Sequence, residues 1–355
     1  MTKTKSKTIV KKVLLILLIT IVIFSVVSYI FVKANFDDVF SRTELNGLTY
    51  QLRYSDIEDE YDRELLSFKS GENTLQGYLY GADNTKGLVV LCHGLGGGAE
   101  NYLAETFCFV ENGYQVFGYD NTGCYRSEGV NCIGLPQSVI DLDAALTYIE
   151  QESRFNGLPV LLYGHSWGGY AVTAIFNYDH NITASVSVAG FNKPFQMIIE
   201  WARGMIGGFT YVEYPYIWLY QKILFGDALD VTAVNGLNRV QTPVLIIHGN
   251  GDNTVGYYES GIINYRDEIT NPNVQFKICD KEKQNGHSTL FRSLAAIEYS
   301  KEIDKEYDKL DEQYGGNIPE EKEAEFFSAV DKKQCSELDD EFIEDVLSFY
   351  ESVLK

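Results

Sequence analysis

Six consecutive residues, Gly164-His165-Ser166-Trp167-Gly168-Gly169, constrain this chain more than any other stretch of it. An apolar run, Pro159-Val160-Leu161-Leu162-Tyr163, leads into them, and a helix-compatible stretch from Tyr170 to Phe176 leads out. A serine between small residues at a strand-to-helix turn has the geometry of a nucleophile elbow. Glycines at 164 and 168 permit the sharp turn and let strand and helix pack closely, and the helix N-terminus points amide dipoles at developing negative charge. Small-residue pentads of this kind also arise by chance, so the surroundings decide what it means.

Those surroundings alternate strand-like and helix-like segments. Leu65 to Ser70 and Leu75 to Tyr80 are predicted to form a hairpin around Gly71-Glu72-Asn73. Leu88 to Cys92, Gln115 to Tyr119, Ala184 to Val188, Val244 to Ile247 and Val274 to Ile278 follow as strands. Helices are expected near Tyr102 to Asn112 and over Pro136 to Gln151, where apolar residues at 139, 142, 145, 146 and 149 keep a helical period. Short β-rich runs between amphipathic helices imply an α/β fold, a mostly parallel sheet covered on both faces.

Two segments interrupt that rhythm. Residues 191–240 hold no clear strand and are dense in aromatics, so they are expected to be a helical cap above the sheet's C-terminal edge. Trp201, Phe209, Tyr214 and Trp218 are the candidates for substrate contact from it, although aromatic stripes more often form core. Residues 301–336 are strongly acidic and are expected to be solvated surface helices, with a turn at Gly315-Gly316-Asn317-Ile318-Pro319. Leu338, Phe342, Val346, Tyr350 and Val353 then fall on one face of a last helix suited to packing on the sheet.

Charge is divided unevenly along the chain. The first 33 residues carry six lysines and no acid, leaving 23 basic against 50 acidic residues beyond them. A net charge of −21 argues against nucleic acid as a partner, because phosphate binding needs clustered Lys and Arg. Val13 to Val32 contains no charged residue, and at about 1.5 Å per residue it reaches the ~30 Å of a bilayer's hydrocarbon core. Residues 1–12 are expected to be a basic cytosolic tail, 13–32 a single-pass signal anchor, and 33–64 a polar juxtamembrane segment. Lysine placement puts the remainder on the extracytoplasmic side of the cell membrane. Cleavage of a signal peptide near Ala34, giving a secreted protein, is the alternative.

Six cysteines show no metal-ligand spacing. Cys124 and Cys132 share one loop and are a candidate pair outside the cell.

A serine hydroxyl needs a base to take its proton and a carboxylate to orient that base. Of five histidines, His93 and His165 lie in glycine-flanked turns, His248 ends a strand, and His180 is expected at the surface. His287 follows the last strand, which suits the order nucleophile, acid, histidine. The acid is expected in His248-Gly249-Asn250-Gly251-Asp252, as Asp252, with Asp280 as competitor. Two backbone amides must also face the oxyanion. Trp167 supplies one, and Leu95, in the turn His93-Gly94-Leu95-Gly96-Gly97-Gly98, is the natural second. A phosphate-binding loop at those glycines lacks the required lysine and spacing. No metal or organic cofactor is called for.

Taken jointly, the His93–Gly97, Gly164–Gly169, His248–Asp252 and Gly286-His287 motifs resemble the α/β-hydrolase superfamily. The likeness is to its monoacylglycerol-lipase-like esterases and S33-type serine aminopeptidases. The resemblance covers about Leu65 to His287 plus the last helix and implies a hydrolase domain over 65–355. Asp120 to Gly129 is similar to a further family loop, but Thr122 and Tyr125 stand where Arg and Gly are expected. The implied activity is hydrolysis of a small-molecule or lipid-like carboxylic ester with an apolar acyl or alkyl part, through Ser166, His287 and Asp252. S33-type aminopeptidase or thioesterase activity remains open, the former needing a cap acid such as Glu200 or Glu213. So does a non-catalytic, membrane-tethered binding protein on the same fold.

Overall fold

The computed structural model describes residues 2–355. Met1 and the side chains of residues 2–6, part of the expected basic tail, lie outside the described residues. Eight strands run in chain order as β1 (Arg63–Ser70), β2 (Asn73–Tyr80), β3 (Leu88–Cys92), β4 (Gln115–Tyr119), β5 (Val160–His165), β6 (Ala184–Val188), β7 (Val244–Gly249) and β8 (Val274–Cys279). They form one sheet in the order β1-β2-β4-β3-β5-β6-β7-β8. The β1–β2 hairpin and the β2–β4 pair are antiparallel, and every pair from β4–β3 to β7–β8 is parallel. This is the mostly parallel sheet expected, with each predicted strand in place.

The central strands are apolar without alternation because both of their faces are covered. In β3, Leu88, Val90 and Cys92 join one cluster, and Val89 and Leu91 join another on the opposite face. The first face carries α3 (Gln137–Gln151), through Val139, Leu142 and Leu146, and α4 (Trp167–Ala174), through Ala171 and Val172. On the second lie Phe109 of α2 (Leu103–Glu111) and Phe342, Val346 and Tyr350 of α11 (Asp340–Leu354). Tyr350 keeps its buried hydroxyl satisfied by donating to the Leu162 carbonyl at 2.7 Å. The face expected of the last helix is therefore the one it uses.

Residues 191–240 form three helices above the sheet: α5 (Pro194–Ile206), α6 (Thr210–Phe225) and α7 (Ala233–Arg239). Between β8 and α11 come α8 (Leu294–Tyr314), α9 (Glu320–Ser328) and α10 (Lys332–Cys335). Most of residues 301–336 is exposed, as expected, but the segment is not merely solvated. Lys332 and Lys333 of α10 pair with Asp56 and Glu60, which fastens it to the segment preceding β1.

The N-terminal helix α1 (Thr2–Val39) runs past the charge-free stretch. Residues Lys7–Val39 are long and apolar enough to cross a membrane. Beyond Lys33 the helix continues because Phe36 and Phe40 bury themselves, Phe36 against Tyr220 of α6. Residues 41–62 then pack on the domain: Leu52 and Ile57 join Tyr78 and Phe107, and Arg42 donates to the carbonyls of Tyr125, Ser127 and Gly129.

Parallel strands deliver their following loops to one edge. The turns after β3, β5, β7 and β8 thus converge at the sheet's carboxyl end, where open α/β sheets place their crevice.

Candidate active site

Ser166 stands between β5 and α4 with φ 57° and ψ −113°, a backbone region that non-glycine residues seldom occupy. Its neighbours must be glycine for reasons of space. A Cβ on Gly164 would come within 2.3 Å of the Gly168 carbonyl oxygen, and one on Gly168 within 2.0 Å of the Cys92 carbonyl oxygen. The Ser166 amide donates to the Val188 carbonyl of β6 at 2.8 Å, which ties the turn to the sheet.

The Nε2 atom of His287 lies 2.9 Å from Ser166 Oγ, and its Nδ1 atom lies 2.7 Å from Asp252 Oδ2. A carboxylate only accepts, so Nδ1 carries the proton and Nε2 is left free to accept from the Ser166 hydroxyl. The other Asp252 oxygen accepts from the amides of Thr254 and Val255 at 2.8 and 2.9 Å. Burial alone raises the Asp252 pKa, but hydrogen bonds from the His248 and His287 rings and the Val255 amide more than reverse this and hold the carboxyl well below its usual range. His248 Nε2 sits 3.0 Å from the Val255 carbonyl and 3.4 Å from Asp252 Oδ2. Its Nε2 proton is shared between the two acceptors, so His248 braces the loop that carries Asp252. The competitor Asp280 is exposed in a separate crevice beside Lys281 and Glu341.

The turn after β3 is held from below. His93 is fully buried, and its ring links the Gly94 carbonyl at 2.7 Å to the Asn121 amide at 2.9 Å. Burial pushes its pKa down to about 4, so it is neutral at physiological pH. Asp120, also buried, accepts from the Ala99 amide and the Tyr78 hydroxyl. Tyr125, which departs from the family loop, takes φ 42° and donates its hydroxyl to Asn101, whose side chain in turn accepts from the Gly98 amide. The departure is therefore absorbed by a direct prop under the glycines. Trp167, first residue of α4, carries one of the amides that a helix cannot satisfy internally. Leu95 borders the cavity beside Ser166.

Two contributors are illegible from spacing. Tyr102 Oη accepts from the Gly94 amide at 3.0 Å and lies 2.8 Å from His165 Nδ1, while His165 Nε2 lies 3.0 Å from the His287 carbonyl oxygen. Burial, and secondarily the nearby His287 ring, push the His165 pKa down to about 3, so it is neutral. The consistent pattern is Gly94 N–H to Tyr102, Tyr102 O–H to His165 Nδ1, and His165 Nε2–H to His287. A tyrosine opening a helix far upstream gives no sequence signal of this.

A cavity of about 470 Å³ opens over Ser166 and His287. Leu52, Leu95, Phe291 and Ile297 contribute to its apolar lining, and Glu100, Arg292, Lys301 and Asp304 are its charged groups, Glu100 being paired with Arg63. The wall opposite the glycine turn is thus the start of α8. None of Trp201, Phe209, Tyr214 and Trp218 lines this cavity. Trp201 donates to the Thr254 carbonyl of the acid loop at 3.3 Å, Tyr214 packs on Phe195, and Phe209 and Trp218 are exposed. Glu200 is occupied by the amides of Gly256 and Ser260, and Glu213 by the Ser28 hydroxyl. His180, expected at the surface, has a largely buried ring held between Asp143 and Glu150. Cys124 and Cys132 are brought together, their sulfurs 3.4 Å apart.

Sheet order and elbow together have the architecture of the α/β-hydrolase fold. Residues 83–230 match the family model described as serine aminopeptidase, S33. Two solved structures of the Pyrococcus furiosus esterase Pf2001 share the fold. One has a TM-score of 0.52 at 16% identity, covering 79% of this chain and 99% of that one. The other has 0.50 at 19%, covering 70% and 90%. The quorum-quenching protein AidA of Acinetobacter baumannii is 26% identical over 140 residues, 37% of this chain. That match spans 44% of its length, less than half of the curated relative.

Proposed function

We propose that this enzyme hydrolyses carboxylic esters with an apolar acyl or alkyl part, with Ser166 as nucleophile, His287 as general base and Asp252 as its orienting acid. His287 takes the Ser166 proton as Oγ attacks the ester carbonyl. The amides of Leu95 and Trp167 hold the oxyanion, each such donor being worth about 3 to 4 kcal/mol of transition-state stabilisation. His287 then protonates the leaving alcohol, and water repeats the cycle on the acyl-enzyme. The observation that carries this reading is the unbroken chain from Ser166 Oγ through His287 to Asp252, 2.9 and 2.7 Å long, opening onto a cavity with an apolar side.

The same reading tethers the enzyme to the cell membrane through residues 13–32, with the hydrolase on the extracytoplasmic side. Its support is the apolar length of α1 and the lysines that precede it. An aminopeptidase is less well supported, because Glu200 and Glu213 are both engaged away from the cavity. Turnover of short- and long-chain p-nitrophenyl esters, set against aminoacyl-nitroanilides, tests the choice. Ester turnover that vanishes in Ser166→Ala is the expected result; amide turnover exceeding ester turnover would contradict it.

A further inference from the structure

Helix α6 carries apolar residues on its outward face as well as its buried one. Its buried face carries Thr210, Glu213 and Gln221 beside Ile217, Tyr220 and Phe225. Its exposed side carries Tyr211, Val212, Trp218, Leu219 and Ile223, continued by Met205 at the end of α5. A helix on an aqueous surface turns its polar residues outward. Between Arg203 and Lys222 the only ionisable group besides tyrosine is Glu213, and it is buried.

What α6 packs against accounts for its buried polar groups. Tyr216 meets Phe24 edge to face and lies 2.9 Å from the Ser25 hydroxyl. Glu213 accepts from Ser28 at 2.9 Å, and Tyr220 packs on Tyr29. All four partners, residues 24 to 29, fall inside the charge-free run Val13 to Val32. Phe24 stands eight residues before the end of that run, which is about 12 Å along a helix. If the run crosses the hydrocarbon layer, the residues clasping Phe24 and Ser25 lie well within the same layer. At the other end of the contact, Asp37 accepts from the Tyr220 hydroxyl, beyond the run where charge is tolerated.

We infer that the exposed face of α6, with the end of α5, is embedded among the acyl chains of the bilayer that α1 crosses. This rests on the membrane-spanning reading of α1 given above. Lipid covers the outward aromatic and aliphatic side chains, while the carboxyl of Glu213 is screened from it against Ser28. Polar groups inside a bilayer face helix–helix contacts in this way. Arg203, paired with Glu259, and Lys222, paired with Asp227 and Asp230, bracket the embedded stretch with charge. A small crevice lies in the same seam, between Phe31, Val32 and Phe36 of α1 and Ile198, Trp201 and Met205 of α5, with Asn35 and Glu213 also on its wall. The cap is then a membrane-seated part of the enzyme, and the cavity over Ser166 is held at a fixed height above the lipid surface.

The test uses the full chain reconstituted in phosphatidylcholine vesicles whose acyl chains carry bromine, with selective tryptophan excitation. The chain has three tryptophans, and Trp167 is buried beneath the elbow. Comparing the wild type with Trp218→Phe isolates the emission of Trp218. That emission is expected to be quenched by brominated lipid and shielded from aqueous acrylamide, so that Trp218→Phe loses the larger share of lipid quenching. A chain that resists alkaline carbonate extraction, yet whose Trp218 emission is quenched by acrylamide and not by brominated lipid, overturns the inference and leaves the tether standing. Release by carbonate removes the tether, and the inference with it.

Discussion

His165 Nε2 lies 3.0 Å from the main-chain carbonyl oxygen of His287. The two histidines thus belong to one unit: the residue before the elbow serine holds the backbone of the residue that faces it. Tyr102 extends the unit to Gly94, so a single buried chain of hydrogen bonds joins the glycine turn, the elbow and the base loop.

Tyr102→Phe removes the middle of that chain and leaves a buried donor and a buried acceptor unpaired. Such groups cost about 1 to 3 kcal/mol each. A fall in unfolding free energy of that order is expected in urea titration, together with a lower kcat on p-nitrophenyl esters as Leu95 and His287 lose their common support.

Acid should weaken the fold through His165. Its folded pKa of about 3 lies below the unfolded value near 6.5, so on acidification the unfolded chain takes up a proton that the folded chain refuses. The stability concerned is fully present above pH ~6.5 and is lost as pH falls toward 3. In His165→Gln this share disappears. The difference in stability between pH 7 and pH 5 should therefore shrink by about 2 kcal/mol relative to the wild type, read from urea midpoints at the two pH values.

Asp252→Asn keeps the shape of the acid loop but favours the wrong His287 tautomer. A loss of about 10⁴-fold in kcat is expected, as for the equivalent change in other triads. Asp280→Asn, at an exposed position in another crevice, should leave kcat within a factor of about two, as surface substitutions usually do.

Gly168→Ala places a methyl 2.0 Å from the Cys92 carbonyl oxygen. Backbone on both sides prevents relaxation, so destabilisation of about 3 kcal/mol or more is expected, seen as a lowered Tm or loss of folded protein.

Much of this arrangement was legible in the chain itself. The strands could be read because β3 and β5 bury both faces and are apolar throughout. That Ser166, His287 and Asp252 would meet could be anticipated because the chemistry demands an order, and few histidines compete. Neighbour relations were less accessible. Composition marks Trp201, Phe209, Tyr214 and Trp218 as residues needing cover, but not what covers them. The structure puts Trp201 on the acid loop and leaves Phe209 and Trp218 exposed. Nor does an acidic run disclose that α8 begins as a wall of the cavity, since Ala296 and Ile297 precede the charges. The docking of α1 on α6 was hidden for the same reason, because a charge-free helix looks alike whether lipid or protein surrounds it.

The central claim is that Ser166 is an activated nucleophile. Labelling the chain with a fluorophosphonate, followed by mapping of the modified peptide, tests it most directly. The account predicts one adduct, on Ser166, that is absent from Ser166→Ala and strongly slowed in His287→Ala. An unlabelled wild type, or a label that persists in Ser166→Ala, would contradict it.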